Sequence, residues 1–338
     1  MKPACARRSW LAKPLRRRQA AGAALLAALL TVALVATFAA QAYWQQWRSV
    51  EIESADRRRL QLEWLQLAAL DWSRALLRAD GLRGNPIDHA DEPWAQPARD
   101  LALDDFLAGS GSGAPGSPAR EALQTGAVLS LQLSDAQGKL NLLNLLEGQS
   151  ISPVWLRAFE KLFTLLQLPP AQLASLVQNL RAASARLEAP GADRGPAPLL
   201  PQQMAQLVWL GLEPATVALL ASHVTILPAR SSVNLNSASV QVLQAVWPGL
   251  TRTEADRVLA LRQFRPLQAI SEVGASAAPG EAQVSLGSRF FELHTEVGLG
   301  PVRTARNALL QRDGADVRIL WVRPALASGT SPALPARP

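Results

Sequence analysis

At 338 residues the chain is long enough to bury one or two cores, and its single cysteine, Cys5, excludes an intrachain disulfide. The formal net charge of +7 lies in the N-terminal tail, where Lys2, Arg7, Arg8, Lys13, Arg16, Arg17 and Arg18 stand without an acid, and the remaining basic residues are matched by the 27 acidic ones. A neutral body argues against a broad phosphate-tracking surface, so the charge does not make the chain a nucleic-acid binder.

No apolar segment precedes Cys5, which argues against a lipoprotein signal. No charged residue occurs from Gln19 to Trp47, and Ala20 to Ala40 is apolar apart from Gly22, Thr31 and Thr37. About 20 such residues cross a bilayer as a helix, and the arginine-rich end is expected on the cytoplasmic side. Tyr43, Trp44 and Trp47 fall where amphipathic rings favour the far interface. Three readings stand for this segment. A cleaved secretory signal has a shorter apolar core than this one. A plain signal anchor fits the length. The third reading rests on Gly22, which separates Arg16-Arg17-Arg18-Gln19-Ala20-Ala21 from Ala23-Ala24-Leu25-Leu26-Ala27. This arrangement resembles a type IV prepilin leader, cut after the glycine to leave Ala23 as the new N-terminus. Most pilins carry glutamate at the fifth mature position; Ala27 stands there instead, as in the K-type minor pseudopilins.

Neither glycine nor proline occurs between Gly22 and Gly81, so the helix is expected to continue beyond the membrane. Leu60, Leu62, Trp64, Leu65, Leu67, Leu70, Trp72, Leu76 and Leu77 form a rough helical stripe, with Trp64 and Trp72 expected in the core. A helix from Ala23 to Asp80 would be roughly 85 Å long. The alternative is two helices broken near the interface.

Asp91-Glu92-Pro93-Trp94-Ala95-Gln96-Pro97 is too rich in proline for a helix, and Gly109 to Pro118 has the composition of a flexible loop. Ala127 to Leu133 reads as a half-buried strand, followed by a turn at Asp135-Ala136-Gln137-Gly138. Helices are expected from about Ser152 to Glu272: one capped by Ser152 with Pro153 at its first position, then Pro170–Leu187, Gln202–Leu210, Pro214–Ser222, Ala238–Val246 and Thr253–Arg262. Ala189 to Pro201 reads as a linker, and Thr251 and Glu254 have capping-box spacing. Phe290–Val297, Val302–Leu309 and Val317–Arg323 return to strand patterning, with a disordered tail from Pro324. A strand before the helices and strands after them imply one sheet interrupted by a helical insertion.

Four segments resemble the general secretion pathway protein K family in order along the chain: the leader with Ala27, Asp91-Glu92-Pro93-Trp94-Ala95, Asp135-Ala136-Gln137-Gly138-Lys139-Leu140-Asn141-Leu142-Leu143-Asn144, and Val233-Asn234-Leu235-Asn236-Ser237-Ala238. Leu143 replaces an asparagine that the family carries. The resemblance implies an α+β fold in which a long N-terminal transmembrane, pilin-like α-helix packs on an antiparallel sheet that holds a large inserted α-helical, SAM-like or helix-hairpin-helix-like domain. The corresponding divisions are 1–22 leader, 23–47 transmembrane part, 48–135 pilin-like helix and first strand region, 136–275 inserted helical domain, 276–323 returning strands and 324–338 tail. It further implies a minor pseudopilin at the tip of the type II secretion pseudopilus, single-pass in the bacterial inner membrane with its bulk in the periplasm. Expected partners are I-like and J-like minor pseudopilins, prepilin peptidase and the inner-membrane secretion platform.

One departure concerns metal. The family carries an acidic stretch with calcium ligands in the helical domain, whereas Ser175 to Pro201 holds only Glu188 and Asp193. Calcium takes about six to eight oxygens, usually including several carboxylates, so no calcium site is assigned and no cofactor is expected. His89, His223 and His294 lack zinc-ligand spacing, and no P-loop, G-x-S-x-G or H-E-x-x-H occurs, so no catalytic residues are assigned and no enzyme is expected. Asp71, Asp80, Asp104 and Asp105 are read as a solvated face. The rival class is a membrane-tethered DNA receptor, because Val233 to Val273 resembles a helix-hairpin-helix. Its turn, Trp247-Pro248-Gly249-Leu250, has one glycine and a proline without an N–H, and four arginines face Glu254, Asp256 and Glu272. That balance is too small for a DNA backbone, so no nucleic acid is expected.

Overall fold

A computed structural model describes residues 18–102, 127–148, 150–188, 198–274, 283–300 and 302–327. The expected loop at 109–118, most of the expected linker and the tail beyond 327 lie outside these residues, as do Asp104 and Asp105.

One helix, α1 (Arg18–Arg83), runs for 66 residues without a break. It begins before Ala23 and passes Asp80, and the two-helix alternative is not what forms. The absence of glycine and proline explains its continuity. The chain forms two compact units, Met1–Gln61 and Leu62–Pro338. In the first unit, residues from 22 to 61 are almost wholly exposed, with large apolar side chains such as Leu26, Leu30, Val35 and Phe38 open to the surroundings. One stretch of α1, starting at Gly22, is apolar and long enough to cross a membrane.

In the second unit, α1 buries Leu62, Gln66, Ala69, Leu70, Ser73, Leu77 and Asp80, one stripe at helical period. That stripe covers a five-stranded antiparallel sheet in the order β1 (Ala98–Ala102), β2 (Ala127–Asp135), β3 (Phe290–Leu299), β4 (Val302–Asp313) and β5 (Asp316–Ala325). Leu129, Leu131 and Leu133 alternate inward from β2 and meet Phe291, Leu293 and Val297 of β3 under the helix. Gln66 is fully buried yet satisfied, donating to the Thr304 carbonyl at 3.0 Å and accepting from the Thr295 hydroxyl at 2.6 Å. Trp64, expected in the core, is 69% exposed, and Leu60 and Leu67 are also exposed. The buried stripe is narrower than the apolar sequence, so these side chains fall outside it.

Between β2 and β3 the chain leaves the sheet and builds a second core from α2 (Pro153–Leu165), α3 (Pro170–Glu188), α4 (Pro214–Leu220), α5 (Val240–Val246) and α6 (Arg252–Phe264). Trp155, Phe159, Phe163, Leu176, Leu180 and Trp247 are among its buried members. The capping box of Thr251 and Glu254 forms as the spacing predicts. Two local expectations differ. Ser152 precedes Pro153 but makes no side-chain cap bond, and the segment expected as a helix from Gln202 is a 3-10 helix over Met204–Leu210.

Two strands differ from the sequence reading. β1 has no strand signal of its own, because five residues containing Arg99 and Asp100 carry no alternation. Pro324 and Ala325, expected at the start of the disordered tail, instead end β5, and the tail beyond 327 lies outside the described residues. β5 is an edge strand of the sheet, where a residue without an N–H is tolerated.

A buried polar junction as candidate functional site

Three of the motif segments meet within the second unit, where the end of α1, the 84–97 segment, the sheet and the helical insertion join. After α1, the chain runs beside residues 286–288: the Asp88 N–H donates to the Leu286 carbonyl at 2.8 Å and the Ser288 N–H to the Asp88 carboxylate at 2.7 Å. A Cβ on Gly287 would lie 2.2 Å from the Pro86 carbonyl oxygen, so only glycine permits this approach.

The Asp91–Ala95 motif is a turn closed by its own glutamate. Glu92 Oε2 accepts from the indole Nε1 of Trp94 at 2.8 Å and from the His89 N–H at 3.2 Å. Trp94 is buried edge-on against Phe291, with ring centroids 4.9 Å apart. Asp91 and Pro93 are exposed, so the buried members of this motif are Glu92 and Trp94.

Under the turn lies Arg312 of β4. Its guanidinium pairs with Asp80, donates to both Asp88 carboxylate oxygens at 2.7 Å and reaches the Ser288 carbonyl at 3.1 Å. It also lies 4.8 Å from the Phe291 ring centroid. Arg312, Asp80 and Asp88 are all buried. Asp80 is therefore not part of a solvated face, whereas Asp71 is exposed and pairs with Arg74 at 3.1 Å. Burial pushes the Asp88 carboxyl up, opposed by the hydrogen bond and charge of Arg312. Burial also pushes Glu92 up to about 7, opposed by the Trp94 bond and reinforced by the charges of Asp80 and Asp88.

Ser288 links this cluster to the second motif. Asp135, at the end of β2, accepts through one oxygen from Asn234 at 2.8 Å, from the Ser288 hydroxyl at 2.7 Å and from the Ser237 hydroxyl. Its other oxygen caps the 3-10 turn by accepting from the Gln137 N–H at 2.7 Å. Burial raises this carboxyl despite its four donors. Gln137 spans the sheet and the insertion, accepting from the Arg289 N–H at 2.6 Å and donating to the Ser232 carbonyl at 3.0 Å. A Cβ on Gly138 would sit 2.8 Å from the Ser237 carbonyl oxygen, which accounts for glycine in this motif.

The asparagines act as substitute backbone. Asn144 donates to the Ser231 carbonyl at 2.7 Å and accepts from its N–H at 3.0 Å. Asn236 holds Leu267 in the same two-way manner, at 3.3 and 2.8 Å. Asn141 donates to the Ala229 carbonyl at 2.8 Å and accepts from the Leu227 N–H at 3.1 Å. Asn234 donates to the Asp88 carbonyl at 3.1 Å, bringing the insertion against the segment that follows α1. Each amide satisfies buried backbone groups where no ladder exists. Gly22, Ala23 and Ala27 belong to the first unit and take no part in this junction.

Sequence reasoning misses Asp80, Asp88, Ser288 and Arg312. A detectable signal is a charged residue on the inward register of a strand, since Arg312 shares its face of β4 with the buried Leu310 and Ala308. Among the described residues, Asp80, Asp88 and Glu92 are the one group of three carboxylates whose oxygens come within 4.8 Å of one another. The guanidinium of Arg312 already neutralises two of them, so the donor set does not fit a calcium ion. Asp193 lies outside the described residues and the side chain of Glu188 is not described.

Residues 233–289, which carry Asn234, Asn236, Ser237 and Ser288, match the family model described as type II secretion system (T2SS), protein K. A relative from Pseudomonas aeruginosa, type II secretion system protein K, is 26% identical, with the alignment covering 90% of this chain and 92% of that protein. The fold is similar to a chain in the crystal structure of the GspK-GspI-GspJ complex from the type 2 secretion system of enterotoxigenic Escherichia coli, with a TM-score of 0.55, 17% identity, and coverage of 81% of this chain and 99% of that one. A motif-bearing core, a relative aligned along nearly its whole length and a shared α+β architecture agree in making the chain similar to type II secretion system protein K.

Proposed function

We propose that the chain is a minor pseudopilin at the tip of a type II secretion pseudopilus, where it helps to start fibre assembly and the export of folded proteins, and that it performs no catalysis. The observation that carries the reading is α1 itself: one unbroken helix whose first part is apolar and exposed and whose later part buries a stripe on a sheet. Residues 23–47 would lie in the inner membrane with the rest of the chain on the periplasmic side. A carboxylate at the bilayer centre costs about 2.5–3.5 kcal/mol, which pilins recover by pairing with a neighbouring subunit's N-terminus. Ala27 offers no such partner, which suits a subunit at the end of a fibre. A bulky helical insertion between β2 and β3 also suits that position.

The solved relative assembles with GspI and GspJ, which supports I-like and J-like pseudopilins as partners here. The test is co-purification of the full-length chain with its co-encoded pseudopilins, together with a duplex-DNA binding titration. Retention of the pseudopilins without salt-dependent DNA affinity is expected; the converse makes the chain a tethered DNA receptor. Side-chain pairing in the hairpin favours the first outcome. Arg262 donates to the Leu235 and Ala238 carbonyls, Arg252 pairs with Asp256 and Arg265 with Glu272.

Processing gives a separate prediction. Co-expression with prepilin peptidase should remove everything through Gly22, and Gly22→Val should abolish the cut. Mass spectrometry of the N-terminus distinguishes this from a signal peptidase product cut near Ala42. For metal, we expect calcium to leave the melting temperature nearly unchanged. A ligand at about 100 times its dissociation constant stabilises by about 2.7 kcal/mol, so a real site would be plain in a melting curve.

A further inference from the structure

The junction carries more acid than it neutralises. Asp80, Asp88 and Glu92 approach within 4.8 Å of one another, and Arg312 is the one buried cation among the described residues. Arg312 is committed to Asp80 and Asp88, and the hydrogen-bond donors on Glu92 Oε2 are neutral dipoles, the Trp94 indole and the His89 amide. A third negative charge in this space would lack a counter-ion.

We propose that the junction is a proton-held latch: Glu92 carries a proton while the 88–95 segment is seated on the sheet, and losing that proton loosens the segment and with it the end of α1. The groups facing Glu92 are Asp80 from α1, Asp88, His89 and Asp91 from the segment itself, and Arg312 from β4. Asp135 of β2 joins them through Ser288. His89 lies 3.8 Å from the Asp91 carboxylate and its Nδ1 accepts from the Asp91 N–H at 3.3 Å, so it is engaged with Asp91 on the outer side of the turn.

The sign follows from burial. The seated carboxyl holds its proton up to about pH 7, against an ordinary value of 4.5 when the segment is open. The seated state is therefore fully favoured below the ordinary carboxylate range and loses that advantage as pH rises through about 7. The consequence is local, because Glu92 closes the turn that holds Trp94 against Phe291.

The test is amide hydrogen exchange of the full-length chain in detergent micelles, followed by mass spectrometry of peptides spanning 86–97 and corrected for intrinsic exchange. Between about pH 5.5 and about pH 8.5, protection of this segment should fall on the order of tenfold or more, while α2 and α3 change little. Glu92→Gln, which keeps the shape of the protonated acid, should hold protection level across the range. A flat wild-type profile overturns the proposal even if the variant fails to fold. So does a slope that survives in Glu92→Gln, which would show that Glu92 is not the group that holds the segment.

Discussion

Replacing Arg312 by leucine is expected to lower the stability of the chain by about 3–5 kcal/mol, the range for removing one partner of a buried ion pair. The reason is less the lost attraction than what remains. Asp80 and Asp88 would stay buried beside Glu92 with no cation, and the Ser288 carbonyl would lose a donor. The leucine should still pack near Phe291, so the deficit is electrostatic rather than a cavity. Denaturant unfolding at two pH values separates these contributions. At low pH the orphaned carboxylates can take protons, so the deficit should shrink on acidification and widen towards alkaline pH. Adding Asp88→Asn to Arg312→Leu should recover part of the loss, because it removes one of the stranded charges. A variant as stable as the parent at alkaline pH would show that the junction is solvated and that its charges do not depend on Arg312.

What the sequence makes readable is local or periodic. The unbroken α1, the alternation of β2, the capping box at Thr251 and the turn at Asp135 each depend on neighbours within a few residues. The motif segments can be found by resemblance, but the work of their residues cannot. Asp80 and Arg312 are 232 positions apart, and Asn234 and Asp88 are 146 apart. Nothing near Asp80 distinguishes a buried carboxylate from the exposed Asp71 one stripe away. Trp64 shows the opposite error: a large aromatic in an apolar run reads as core, yet the buried stripe of α1 passes through Gln66 and Ser73 instead. Polar residues can take those places because Gln66 and Ser73 find backbone or hydroxyl partners. Periodicity alone gives such a residue no reason to be inside.

That division along α1 supplies the second large effect. Leu67 and Leu70 are one helical turn apart, but Leu67 is 45% exposed and Leu70 is 4% exposed. Leu70 packs in the core shared with Leu129 and Leu293. Leu70→Asp therefore loses about 1.5–3 kcal/mol of apolar burial and also places a carboxylate under the sheet without a partner, so the soluble fold should fail. Leu67→Asp should leave the thermal melt within about 0.5 kcal/mol of the parent, as surface changes usually do. If the exposed side of α1 is where I-like and J-like pseudopilins dock, that same change should abolish their co-purification. A charge buried at an interface without a counter-ion is as unfavourable there as in a core. Trp64→Asp should behave like Leu67→Asp, since Trp64 is also exposed and lies one turn away. Retention of both partners by these two variants, with melts unchanged, would move the assembly surface off this part of α1 and onto the sheet or the helical insertion.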